Sequence, residues 1–147
     1  YNMKNLIIYS VMVILFTGCG STKKDKIEEP IAIIYLAQSR GYYYSIKLTN
    51  TGIVVQKDAL QKKVLTKMVD DKTWNEICQI ISTIDLGTIK DFKAPTKGSM
   101  TDRAAIASLT IDFSNKSYTS NTFDHGTPPK QLKPLIDKIL ALAESVQ

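Results

Sequence analysis

The sequence predicts an α+β domain, a mostly antiparallel sheet of about five or six strands packed by two helices. Three observations predict it. Short apolar or alternating runs recur between turn-forming residues, two longer stretches carry apolar residues at helical spacing, and the order strands-then-helix occurs twice. The chain has 147 residues, room for one such domain, since two independent cores rarely fit below roughly 150 residues.

Residues 31–37 form a continuous apolar run, which predicts a strand covered on both faces. Residues 42–49 alternate, with Tyr44, Ile46 and Leu48 on one side and Tyr43, Ser45, Lys47 and Thr49 on the other. Thr49-Asn50-Thr51-Gly52 predicts a turn, with Gly52 able to take positive φ, from which residues 53–57 return as the partner strand. Residues 64–69 add another strand. Asp70 is placed to accept hydrogen bonds from the orphan N–H groups of a helix start, with Val69 and Trp74 as a hydrophobic staple. Trp74, Ile77, Cys78, Ile81 and Ile84 then make one apolar face, and Gly87 stands where that helix should stop.

The second half follows the same order. Ala105, Ala107, Leu109, Ile111 and Phe113 alternate with Ser108, Thr110 and Asp112. Ser114-Asn115 turns the chain, and residues 117–123 predict a more polar edge strand. Leu132, Leu135, Ile136, Ile139, Leu140 and Ala143 form the stripe of a closing helix, with Pro134 in its first turn or kinking it, Thr127 as a cap and Pro128 as a helix start. The repeated order suggests a duplicated hairpin–helix unit. Between the halves, residues 90–103 contain Pro95 and Gly98 and few apolar groups, making them the candidate ligand-facing loop.

Composition removes several function classes. The net charge is +5, from 19 Lys+Arg against 14 Asp+Glu, but only Arg40 and Arg103 are arginine. Nucleic-acid binding wants arginine and aromatics interleaved on one face, so none is expected. The densest lysine group, Lys57, Lys62, Lys63 and Lys67, reads as a solvated face rather than a patch for anionic lipid headgroups. Two cysteines exclude a disulfide scaffold and a four-thiolate zinc site, and one histidine excludes a site needing several imidazoles. The spacings of a calcium loop, a phosphate loop and a dinucleotide fingerprint are all missing, so no cofactor is expected.

The amino-terminal residues point to a location. Lys4 precedes an apolar run over residues 6–16, too short to span a bilayer core of about 30 Å and of the size of a signal-peptide core. Met3 reads as the initiator. Phe16-Thr17-Gly18-Cys19 resembles the lipobox of bacterial lipoproteins, where small residues enter the peptidase and the thiol becomes the lipid-bearing thioether; Phe16 stands where leucine is usual. The expected organisation is a signal peptide over residues 1–18, a lipidated Cys19 and polar tether over 19–30, and one α+β domain over 31–147. Gly20 after the cysteine, rather than aspartate, implies outer-membrane delivery by that resemblance. The basic start of the tether favours the periplasmic face.

Few residues are candidates for chemistry. Cys78 reads as a buried, inert thiol without a disulfide partner. Asp124 and His125 are the carboxylate and imidazole types of a general-base pair, although neighbours in a strand point apart. Asp102 and Arg103 end the central loop and could recognise a charged ligand. Tyr42-Tyr43-Tyr44 places at least one tyrosine outward as a contact surface.

Four blocks, Arg40-Gly41-Tyr42-Tyr43-Tyr44, Lys93-Ala94-Pro95-Thr96, Asp102-Arg103-Ala104-Ala105 and Phe123-Asp124-His125-Gly126-Thr127-Pro128-Pro129, resemble those of small lipoproteins of unknown function from Bacteroidota-type bacteria. The resemblance implies a place and a fold but no chemistry. The expected function is a non-enzymatic, periplasm-facing binding or interaction module, held at the outer membrane by the lipid on Cys19. An envelope protein or a small molecule would be its partner, with Asp102, Arg103, Asp124 and His125 as candidate binding residues. The alternatives are a small hydrolase or lyase using Asp124, His125 and Asp102, or an inhibitor of a secreted enzyme presenting residues 90–103.

Overall fold

A computed structural model describes residues 28–60, 62–101 and 103–146. The signal peptide, Cys19 and most of the tether lie outside the described residues, as does Asp102. The fold is α+β. Strands β1 (Ala32–Ser39), β2 (Tyr42–Leu48), β3 (Gly52–Gln56) and β4 (Val64–Met68) run as an antiparallel meander into helix α1 (Asp71–Ser82). Strands β5 (Ile106–Asp112), β6 (Ser117–Thr119) and β7 (Phe123–Asp124) follow, and helix α2 (Lys133–Glu144) closes the chain. The sheet order is β4-β3-β2-β1-β5-β6, with β7 also on β5.

Alternation decides which face is covered. Ile33, Tyr35 and Ala37 of β1, Ile46 and Leu48 of β2, Ile53 and Val55 of β3, and Ala107, Leu109 and Ile111 of β5 share the inner face and are buried. Trp74, Ile77 and Ile81 of α1 and Leu135, Ile136, Ile139 and Ala143 of α2 pack onto it. Among the described residues the second face carries no α-helix. There Ile34 and Leu36 are only half-buried, so β1 is covered on one face, not two. Both helices serve the same face, which lets a single layer of helix hold the whole sheet.

Local chemistry sets the element ends. Asp70 accepts from the Thr73 N–H at 2.8 Å and caps α1 as its sequence predicts. The helix stops at Thr83, four residues before Gly87. That glycine instead enters a 3₁₀ turn, Leu86–Asp91, capped by Asp85. Pro134 lies in the first turn of α2, where its missing N–H costs nothing. Thr127 and Pro128 do not start that helix, because Thr127 is bound back to Asp124 and Leu132 donates to the Pro129 carbonyl before the helix begins. Gly52 has no positive φ; a β-carbon there would stand 3.0 Å from the Lys67 carbonyl oxygen, so glycine serves the close approach of β4. The expected edge strand over residues 117–123 is broken into β6 and β7.

Candidate functional site

One end of the sheet gathers the polar aromatic groups. The two-residue turn Arg40-Gly41 joins β1 to β2, with Gly41 at φ +83°. Tyr42 and Tyr44 share the inner-face parity of Ile46, and Tyr35 lies on the same face of β1. The chain leaves β7 through Asp124-His125-Gly126-Thr127, a turn closed by the Thr127 N–H on the Asp124 carbonyl with Gly126 at φ +87° in its third position. This turn delivers the His125 ring among the three tyrosines, with ring centroids 5.8 Å from Tyr35, 5.7 Å from Tyr42 and 6.0 Å from Tyr44.

Both imidazole nitrogens are engaged. Nδ1 lies 2.7 Å from the Tyr35 hydroxyl and Nε2 lies 3.2 Å from the Tyr42 hydroxyl. Burial pushes Tyr35 well above the ordinary phenol range, with the Tyr42 and Tyr44 hydroxyls adding to that and the Gly126 N–H opposing it. Tyr35 is therefore a neutral phenol. Its hydroxyl can donate to Nδ1 or accept from it, according to which ring nitrogen carries the proton. In the tautomer protonated at Nε2, the ring accepts from the Tyr35 O–H and donates to the Tyr42 oxygen, which leaves the Tyr42 O–H to donate outward. Burial also holds His125 below its ordinary value and Tyr42 and Tyr44 above theirs. A cleft of about 400 Å³ opens here, lined by Tyr42, Tyr44, Lys57, His125, Leu140 and Glu144. In that tautomer the arrangement offers a neutral hydrogen-bond donor on an aromatic floor, with one cation and one carboxylate at the rim.

Asp124 performs a different task. It stands opposite Ile106 on the helix-free side of β5, while the His125 N–H donates to the Ala105 carbonyl. The buried Asp124 carboxylate accepts from the Thr96 hydroxyl and, at 2.6 Å, from the Gly98 N–H. Thr96 also bonds Thr127 at 2.8 Å. A β-carbon on Gly98 would meet the Asp124 Oδ2 at 3.1 Å, so glycine is what lets the loop close on the carboxylate. Asp124 thus fastens the central loop to the turn that carries His125.

The sequence-predicted site residues are therefore divided. Asp124 and His125 are adjacent but aimed apart, as strand alternation requires. Arg103 closes the short 3₁₀ segment Gly98–Thr101 through its backbone N–H on the Gly98 carbonyl. Asp102 lies outside the described residues. Tyr35 and Thr96 were missed: Tyr35 reads as core and Thr96 as loop, and only the register of β1 with β2 and the fold of residues 90–103 bring them to the site. Cys78 is half-buried rather than buried, lining a cavity of about 360 Å³ with Glu28, Pro30 and Phe113. Burial, and then the Glu29 carboxylate, raise its thiol pKa, which disfavours the nucleophilic thiolate. Among the described residues no cluster of three or more His, Cys, Asp or Glu could hold a metal, and no helix is long and apolar enough to cross a membrane. Compared with protein-family models, curated proteins and solved structures, the chain matches none.

Proposed function

We propose that this chain is a lipid-anchored protein of the outer membrane, facing the periplasm, whose domain is a non-enzymatic binding module that takes its partner at the Tyr42–His125 cleft. Support for the anchor comes from the run over residues 6–16 and from Phe16-Thr17-Gly18-Cys19, with Gly20 favouring outer-membrane delivery. The likeness to small lipoproteins of Bacteroidota-type bacteria points the same way.

The binding reading is carried by one observation, the use of both His125 ring nitrogens by tyrosine hydroxyls. A general base needs a carboxylate or comparable acceptor to orient it and a nucleophile or water to act upon. Here Asp124 is turned to Thr96 and Gly98, and the imidazole is spent on orienting Tyr42. An oriented hydroxyl at the mouth of a cleft, beside Lys57 and 42% exposed Tyr42, suits recognition of an acceptor oxygen.

The test places a photo-crosslinking phenylalanine analogue at position 140, on the cleft lining, of the full chain in envelopes of a two-membrane bacterium, with the same analogue at Asn115 as control. A discrete adduct at 140, absent at 115 and lost in Tyr42→Phe and in His125→Ala, is the expected result. Turnover of an envelope substrate that disappears in His125→Ala but survives in Lys97→Ala would replace binding with catalysis.

A further inference from the structure

The two edges of the sheet are finished differently. At one, β6 is three residues long and the 3₁₀ turn Leu86–Asp91 packs against it. At the other, β4 pairs with β3 alone among the described strands. The hydrogen-bond phase of that edge follows from its neighbours. Val69 donates to the Thr51 carbonyl and Thr49 donates to the Gly52 carbonyl. Counting inward through the registers, Leu65 and Lys67 turn their backbone groups to Val55 and Ile53 of β3. Val64, Thr66 and Met68 therefore turn theirs outward, a row of N–H and C=O groups along the rim with no strand partner among the described residues.

The side chains around this rim give it character. Val64 is 45% and Met68 87% exposed, both on the helix-free face, and Leu60 just before the strand is 75% exposed. Residues 57–68 carry Lys57, Lys62, Lys63 and Lys67 against the single acid Asp58. That acid is turned into its own loop, accepting from the Lys62 and Lys63 N–H groups at 3.1 and 2.9 Å. Lys67 reaches the other way, to Ser145 at the end of α2.

We propose that β4 is a docking edge for an extended, acidic segment of a partner protein, which adds as an eighth strand beside Val64, Thr66 and Met68. The backbone row supplies the affinity, the exposed Val64 and Met68 supply alternate side-chain contacts, and the lysines select the sign of charge. The same lysines disfavour a second copy of this chain, since an edge-to-edge dimer would bring like charges together. A lipid surface would use the charge but leave the directional backbone groups unmatched, so the peptide is the better fit to both observations.

The experiment titrates the ¹⁵N-labelled full chain in detergent micelles with a synthetic peptide of alternating valine and glutamate, and with its lysine counterpart. The Val64, Thr66 and Met68 amides should shift and gain exchange protection with the glutamate peptide only. Thr66→Pro removes an outward N–H that makes no bond within the sheet, and should weaken binding roughly tenfold or more without lowering the thermal midpoint appreciably. The double variant Lys62→Glu/Lys63→Glu, whose changes lie outside the strand, should reverse the preference to the lysine peptide. Equal binding of the two peptides, shifts confined to other strands, tight binding to phosphatidylglycerol vesicles with none to peptide, or self-association broken by Thr66→Pro would each overturn the proposal.

Discussion

Trp74 is 4% exposed, and its indole N–H is buried without an acceptor among the described residues. The ring therefore contributes through apolar contact while its one polar atom works against it. Trp74→Ala should cost about 3–5 kcal/mol by emptying the space between α1 and the sheet. Trp74→Phe should cost only about 1–2 kcal/mol, because it leaves a smaller void and removes the unpaired donor. Chemical denaturation of the two variants separates these effects; equal losses would mean that the N–H is satisfied. His125 supplies a pH signature. Its folded-state affinity for protons is depressed by burial from the ordinary 6.5, so near and below pH 6.5 the unfolded chain binds more protons than the folded one. The stability linked to His125 is thus complete above that pH and falls away as the pH drops through the depressed value. His125→Gln should flatten the acid side of the stability–pH curve over the interval just below pH 6.5 relative to wild type. An unchanged slope in thermal unfolding across that interval would show that the imidazole titrates freely.

At the scale of elements, most strands and both helices were legible because alternation and the 3.6-residue stripe survive in the sequence. The Tyr44-Ile46-Leu48 and Ala107-Leu109-Ile111 sets each lie on the covered face as their spacing requires. The stretch after β6 was not legible. Tyr118 faces Ile111 and Ser120 faces Leu109, a parity that would next turn Thr122 inward; instead Phe123 stands opposite Ala107. One extra residue has been inserted against β5, a bulge that flips the parity and buries Phe123. Ser120 secures the break by accepting from the Leu109 N–H and donating to the Asn121 carbonyl. The same flip decides that Asp124 takes the helix-free side and His125 the covered one, so half the candidate site depends on a register change that composition does not encode. Gly87 and Gly52 misled for a related reason: a glycine marks a backbone need, but not which one. Gly98 gives the sharpest test of this layer. A methyl group there would stand 3.1 Å from the Asp124 Oδ2 and force the carboxylate off the Gly98 N–H. Gly98→Ala should cost about 1–3 kcal/mol and speed hydrogen exchange across residues 96–101, while Gly41→Ala, with open space around it, should show only backbone strain.

For the molecule as a whole, the proposed anchor would set the helices, the cleft and the open edge against a membrane surface. Described structure begins at Glu28, where Glu28 pairs with Lys116 at 3.8 Å beside the end of α1. Eight residues lie between Cys19 and Glu28, nine backbone steps that reach at most roughly 30 Å when extended, so a lipid on that cysteine would keep the domain close to the membrane. One acyl chain gives only marginal binding at about 0.8 kcal/mol per buried methylene, whereas the two or three chains of a bacterial lipoprotein make attachment effectively permanent. Among the described residues no helix offers a second anchor. Residence at the membrane should then depend on one sulfur atom. Cys19→Ser is expected to abolish incorporation of an alkyne-tagged fatty acid and to leave either an uncleaved precursor or soluble protein, with the thermal midpoint of the domain unchanged. Equal labelling of wild type and variant, or a mature amino terminus at any residue other than Cys19, would remove the anchor from the proposed function while leaving the Tyr42–His125 cleft to be judged on its own crosslinking.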